Sequence, residues 1–352
     1  MLPQSRLRVG MQETSDWVRS EAMSLLYDVT LRDGNHALRH TLTSKFVAEY
    51  CTAADSSGVW AVEVGHGNGL GASSYLVGKS SETDENLLSS ARENLKNAKL
   101  AVHSIPGFST IKRDLAPAIQ LGVDVFRVAT HVTEATTAEK HIEFLAEQNV
   151  IVHGVLMMSH MISIDGLIEQ ARLMQSYGAS AVILMDSAGH FIPVDVRERI
   201  DALRNTLDLQ IGFHAHNNLG VAVSNASVAI QSGALLVDGA SMGLGAGAGN
   251  AQLENIVAYS VKEGRPIFPI AEFIGMSQLV EKSFPDNLPR TNGSSIESGL
   301  AGVFSGYAPQ VKQISNELGI EISVLWQEMG KRKLVAGQES MIREIAQDLM
   351  NL

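Results

Sequence analysis

Cysteine is almost absent from this chain. Cys51 is the only one in 352 residues, so no internal disulfide can form, which fits a reducing compartment and makes a cytoplasmic protein the expectation. No apolar run reaches the ~18 residues that a membrane span requires, so no membrane partner is expected. The stretch from Met1 to Glu21 carries several charges and no apolar core, and is not expected to act as a secretory signal. Positive charge is scarce as well. There are 27 Lys and Arg against 38 Asp and Glu, a formal net charge of −11. The basic run Lys331-Arg332-Lys333 is short and reads as a solvated helix end, so nucleic acid is not expected as a partner. The first strand-like run is followed by Arg-Asp-Gly-Asn-His, not by the Gly-rich turn of a dinucleotide site.

The chain is instead built on alternation. Short β-branched runs at 25–31, 60–64, 99–105, 123–128, 151–156, 181–185, 210–214 and 236–241 read as strands. Between them lie helical patterns such as 44–56, 87–97, 138–148, 165–177, 194–206 and 221–232, several of which stop at Gly58, Gly122, Gly178 or Gly233. Eight such units predict an α/β protein with a (β/α)8 TIM barrel, which needs ~250 residues. The expected organisation is a polar tail over 1–23, a catalytic barrel over 24–268 and a helical lid or interaction region over 269–352. In that last region Pro285, Pro289 and the run 291–295 read as irregular chain, followed by helices at 308–318, 324–331 and 340–350.

A barrel of this kind carries its chemistry where the strands end. Arg32, Asp33 and His36 follow the first strand; Glu63, His66 and Asn68 the second; Arg127, Thr130, His131 and Glu134 the fourth; His160 the fifth; Asp186, Ser187 and His190 the sixth. The seventh ends in His214-Ala215-His216-Asn217-Asn218. Residues two apart on a strand share a face, so both imidazoles can reach one ion. Two histidines and a carboxylate suit a divalent cation with open positions, and Asp33 is the expected third ligand. That donor set of oxygen and nitrogen fits Mn2+, Co2+, Mg2+ or Zn2+. The loop Gly243-Leu244-Gly245-Ala246-Gly247-Ala248-Gly249-Asn250 reads either as a structural turn or as a ligand-side loop.

Thr30-Leu31-Arg32-Asp33-Gly34 together with His214-Ala215-His216-Asn217-Asn218 resembles the metal-dependent lyase and synthase barrels, and the 4-hydroxy-2-oxovalerate aldolases among them most. The continuation Asn35-His36-Ala37-Leu38-Arg39-His40, the segment Met157-Met158-Ser159-His160-Met161, the Gly-rich loop and the run from Val335 to Ile342 are similar to the same branch. The resemblance runs from about Leu25 to the C-terminus. It implies a class II pyruvate aldolase in which Asp33, His214 and His216 bind a divalent metal, most of all Mn2+. Arg32 would stabilise the enolate, and His36 would take the proton of the 4-hydroxyl so that a 4-hydroxy-2-oxo acid yields pyruvate and an aldehyde. Ser187 would hold the pyruvate carboxylate, or else cap a helix. The helical region would contact other subunits, as a homo- or hetero-oligomer, and dock an acylating aldehyde dehydrogenase; a role in aromatic hydrocarbon catabolism goes with the family.

Two departures stand out. The family pattern Gly-Tyr-Ala-Gly-Val-Tyr is here Gly299-Leu300-Ala301-Gly302-Val303-Phe304, so two hydroxyls are missing and Tyr307 is the candidate replacement. At the third strand's end, His103 and Ser104 stand where the family carries leucines. They are expected to border the aldehyde and to favour an acceptor with a polar tail. Two other functions stay open on the sequence. One is a Claisen-type synthase joining acyl-CoA to a 2-oxo acid, the other a catalytically silent scaffold for a dehydrogenase.

Overall fold

The computed structural model describes residues 24–264, 268–335 and 338–351, and the expected tail over 1–23 lies outside them. Eight strands run in parallel in chain order and close on themselves: β1 Leu25–Asp28, β2 Ala61–Glu63, β3 Lys99–Ser104, β4 Val125–His131, β5 Ile151–Met157, β6 Ala181–Asp186, β7 Gln210–Ala215 and β8 Leu236–Gly239. β1 pairs with β8, with Leu25 opposite Leu236 and Asp28 opposite Gly239, which completes the expected TIM barrel. Helices α1 Ser44–Ser57, α2 Asp84–Asn94, α3 Ala116–Gln120, α4 Glu139–Ala146, α5 Ile164–Tyr177, α6 Pro193–Thr206, α7 Ala222–Gln231 and α8 Leu253–Lys262 follow the strands in turn. Thr43 and Ser163 cap α1 and α5 by accepting from Phe46 N and Gly166 N, each replacing a bond that the first helical turn lacks.

The period of two along each strand divides the core. Outward positions such as Val62, Val102, Val128 and Phe213 join the apolar layer between barrel and helices. Inward positions begin apolar, with Tyr27, Ala61, Ala101, Val125 and Leu236 filling the barrel around Trp60. Two residues further along, the same face turns polar: Glu63, His103, Arg127, His153 and Asp238, all buried. TIM barrels usually fill such positions with branched apolar side chains. This one places charge there, directly below the ends of the strands.

β1 stops at Asp28, three residues before the predicted end. Asp28 Oδ1 accepts from Thr30 N at 2.8 Å, bending the chain, and Asp33 N then bonds back to Val29 O at 2.8 Å. Arg32 and Asp33 therefore sit in a tight turn beyond the strand.

The apolar clusters divide later than residue 269. Helix α9, Ile270–Ser283, sends Phe273, Met276 and Val280 into the barrel's own core. A second cluster begins after it, built from α10 Gly293–Ala301, α11 Ala308–Leu318, α12 Ile322–Lys331 and α13 Glu339–Met350 and the chain between them. Its centre is Trp326 with Val311, Leu325, Met329, Ile342 and Ile345. α10 occupies part of the stretch expected to be irregular. Its first residues, Gly293, Ser294 and Ser295, are poor helix formers. Asn292 starts it all the same, its side chain accepting from Ser295 N while Ser295 Oγ accepts from Asn292 N.

Candidate active site

β7 holds His214 and His216 on one face, and the turn after β1 brings Asp33 to them, so one ligand atom from each lies within 4.8 Å of the others. The two rings are oriented by what their Nδ1 atoms meet. His214 Nδ1 lies 2.9 Å from Asp238 Oδ2, and His216 Nδ1 lies 3.2 Å from Gly249 O. A carboxylate and a carbonyl oxygen can only accept, so each Nδ1 carries the proton and each Nε2 presents a lone pair. Those two Nε2 atoms face one another at 3.4 Å. Two such lone pairs cannot bond to each other, and burial pushes His216 down to about 4, against the pull of Asp33. Two buried lone pairs directed at one point beside a carboxylate fit a cation there, with the Nδ1 partners in the usual supporting role.

Asp33 is held from three directions. Arg32 Nη1 donates to Oδ1 at 2.8 Å, and Asn250 Nδ2 and Ala246 N donate to Oδ2 at 2.7 and 3.2 Å. Burial works against its charge, but Arg32 and the nearby histidines keep the carboxyl well below the usual range. The Gly-rich loop is thus the ligand-side loop, clasping Asp33 and, through Gly249 O, His216. It must pass very close: a Cβ on Gly245 would lie 2.6 Å from Asp33 Oδ2. Asn250 Oδ1 is buried without a partner beside these groups.

Arg32 lies flat between two carboxylates. Its Nε donates to Glu63 Oε2 at 2.6 Å and its Nη1 also reaches Gly67 O at 3.2 Å. Nη2 alone is buried with no hydrogen-bond partner. His36, one turn on, is hydrogen-bonded to the Gly67 backbone, and burial lowers it to about 4, so it is a neutral imidazole near pH 7. Its ring packs on His40, which stacks on His66 with centroids 3.6 Å apart.

Ser187, His103, Ser104 and Tyr307 are the other expected site residues. Ser187 Oγ accepts from Met158 N at 3.0 Å, tying the end of β6 to that of β5. It caps no helix, since α6 starts six residues later behind Ile192. His103 shares the inward face with Ala101 and approaches Glu63 Oε1 to 3.7 Å. At that distance its Nδ1 makes no hydrogen bond, and burial lowers the ring to about 4. Ser104 takes the opposite face, its hydroxyl 2.6 Å from that of Ser109. Of the two, only His103 keeps the inward face, so a polar-tailed aldehyde would be met by its unpartnered Nδ1 alone. Tyr307 is not a replacement for the missing tyrosine either. It is buried in the C-terminal cluster, where its hydroxyl donates to Val335 O at 2.5 Å.

Two residues escaped the sequence reading. Asp238 sits in the apolar run of β8, where a lone carboxylate at an inward position signals a buried partner. Asn250 was visible only as the end of a glycine-rich loop. α10, in turn, is fastened over the strand ends by three side chains. His160 Nε2 meets Gly302 O at 2.9 Å, His190 Nδ1 meets Gly299 O at 2.7 Å, and Asn218 Nδ2 donates to Ser298 Oγ at 2.9 Å. Leu300 on α10 is 67% exposed.

A closed parallel barrel with a carboxylate, two imidazoles and an arginine beyond its strand ends defines a lyase-type class. The family described as HMGL-like matches residues 24–281, and a DmpG-like communication domain matches 289–351. A 4-hydroxy-2-oxovalerate aldolase of Pectobacterium atrosepticum is 50% identical over 92% of this chain and 95% of its own length. One from Spirochaeta aurantia is 46% identical over 92% and 96%. Among solved structures, the carboxyl transferase domain of Rhizobium etli pyruvate carboxylase superposes with a TM-score of 0.79 at 19% identity, covering 95% of this chain and 61% of that one, and so shares the fold. The chain belongs to the HMGL-like family and, within it, to the 4-hydroxy-2-oxovalerate aldolases.

Proposed function

We propose that the protein cleaves a 4-hydroxy-2-oxo acid of the 4-hydroxy-2-oxovalerate type to pyruvate and an aldehyde, at the site built by Arg32, Asp33, His36, His214 and His216. The observation that carries this reading is the pair of facing Nε2 lone pairs beside Asp33, with the free Nη2 of Arg32 next to them. Asp33, His214 and His216 would hold a divalent cation, Mn2+ foremost with Co2+, Mg2+ or Zn2+ as alternatives, since all three offer hard or borderline donors. Bound there, the ion supplies Lewis acidity toward the 2-oxo group.

The chain's own groups do the rest. Arg32 Nη2 donates to the carbonyl oxygen as it becomes an enolate, with Glu63 and Asp33 holding the guanidinium flat. His36, neutral and aimed from the turn, accepts the 4-hydroxyl proton. The C3–C4 pair of electrons then moves into the enolate, the former C4 leaves as an aldehyde, and protonation at C3 gives pyruvate. Ser187 is the proposed hydroxyl for the substrate carboxylate. Leu300 offers no hydroxyl on the wall where the family has tyrosine, so weak stereochemical control at C4 is expected. The segment matching the communication domain is the proposed contact for an acylating aldehyde dehydrogenase that takes the aldehyde, in a homo- or hetero-oligomer.

The test is pyruvate release from 4-hydroxy-2-oxovalerate by metal-loaded and chelator-stripped protein. We expect release only with metal. Full activity after stripping removes the metal reading. Thiol release from acetyl-CoA with a 2-oxo acid, without pyruvate release, makes the protein a synthase instead.

A further inference from the structure

Arg127 has no part in the chemistry above, yet it is among the largest fully buried side chains of the protein. It projects inward from the middle of β4, opposite His103 on β3 and His153 on β5. Its Nη2 donates to Asp238 Oδ2 at 2.7 Å. That same oxygen accepts from His214 Nδ1 at 2.9 Å. On its other side, Nη1 lies 3.6 Å from Glu63 Oε1, which His103 Nδ1 approaches to 3.7 Å, and neither Nη1 nor Oε1 makes a hydrogen bond. Glu63 in turn holds Arg32 through Oε2 at 2.6 Å. The guanidinium plane rests 4.3 Å above the ring of Tyr27, which leaves it little freedom to turn.

We propose that Arg127 is the positioning residue of the site, acting through Asp238 on His214 and through Glu63 on Arg32. This rests on the site assignment made above. The physical reason is charge. Asp33, Glu63 and Asp238 are three buried carboxylates, and Arg32 and Arg127 are the two guanidiniums among them. Without Arg127, Asp238 would lose its guanidinium and Glu63 would keep Arg32 alone, and a buried carboxylate left without its partner turns toward a new contact. Asp238 would then no longer fix the His214 tautomer, and Glu63 would pull Arg32 out of plane. A planar fork suits this position because it reaches two carboxylates at once, which a single ammonium cannot.

The full chain is compared with its Arg127→Met, Arg127→Lys, Asp238→Asn and Arg127→Met/Asp238→Asn variants. Mn2+ affinity is measured by calorimetry on chelator-stripped protein, with pyruvate C3 proton exchange, kcat and KM measured on loaded protein. Arg127→Met is expected to weaken Mn2+ binding by ~10–100-fold, the usual loss when a supporting partner of a metal ligand is removed. Its kcat and exchange rate should fall more than its KM changes, and Arg127→Lys should recover only part of the loss. The double variant should bind Mn2+ no more weakly than the poorer single variant, because the two residues act in one chain. Parent-like Mn2+ affinity and exchange in Arg127→Met, or losses that multiply in the double variant, overturn the proposal. Should Arg127→Met fail to fold, Arg127→Lys decides: weakened Mn2+ binding supports the fork, and parent-like binding refutes it. A parent protein that neither binds Mn2+ nor releases pyruvate defeats the proposed function itself, a result separate from variants that merely match an active parent.

Discussion

His214 and His216 are oriented by acceptors that leave only their Nε2 atoms free, so each replacement by alanine should abolish stoichiometric metal binding and activity together. Metal content after gel filtration checks this, and an active variant without metal would contradict it. His36 is the proposed base for the 4-hydroxyl. As a base of neutral form it should contribute ~10²–10⁴-fold, the range for positioned proton acceptors. His36→Ala is therefore expected to slow cleavage by that factor, while proton exchange at C3 of pyruvate, proposed to depend on Arg32, falls much less. Equal losses would assign His36 to geometry instead. At this scale the sequence showed the residues that carry a recognisable spacing, such as Arg32-Asp33 and His214-x-His216. It could not place those whose meaning depends on which face they take. His103 and Ser104 are neighbours, yet the pleat sends one to Glu63 and the other to Ser109. Arg127 and Asp238 are partners across 111 residues, and no local pattern links them.

The elements were legible because both periods were clean. All eight strands and most helices fall where apolar alternation put them, and the ends shifted by capping chemistry, as where Asp28 bends β1 early. α10 was hidden because its first turn is glycine and serine, and what stabilises it is tertiary. Asn218 supplies part of that, donating to Ser298 Oγ and, at 3.3 Å, to Ser295 O. Asn218→Ala removes both bonds while Ser298 Oγ still donates to Ser295 O at 2.9 Å, so it should cost about 0.5–1.5 kcal/mol locally. The expected result is faster proteolytic nicking within 293–301 and a raised KM, with Mn2+ affinity unchanged. Unaltered nicking would show that His160 and His190 suffice to hold the helix.

Over the whole molecule, burial of neutral imidazoles sets the response to acid. Burial lowers His36, His103, His160 and His216 to about 4, and His40 and His153 to about 3. In the unfolded chain these groups bind protons near the model value of 6.5. Between that pH and about 4 the unfolded state therefore takes up protons that the folded state refuses, and stability falls as pH falls. Asp28 and Asp186, raised by burial to about 6, and Glu254, raised to about 7, act in the opposite sense. With six groups against three, the metal-free protein should melt at a lower temperature at pH 5 than at pH 7, and a flat or rising profile would count against this account. The separate apolar cluster around Trp326 has an optical consequence. Trp60 lies inside the barrel and Trp326 inside the C-terminal helices, so each unit carries its own indole. With Trp17 changed to Phe, Trp60→Phe and Trp326→Phe variants would each emit from one unit alone. Urea titrations read at those two reporters will superimpose if the helices and the barrel come apart as one body. They will separate if the C-terminal helices can loosen while the barrel stays shut.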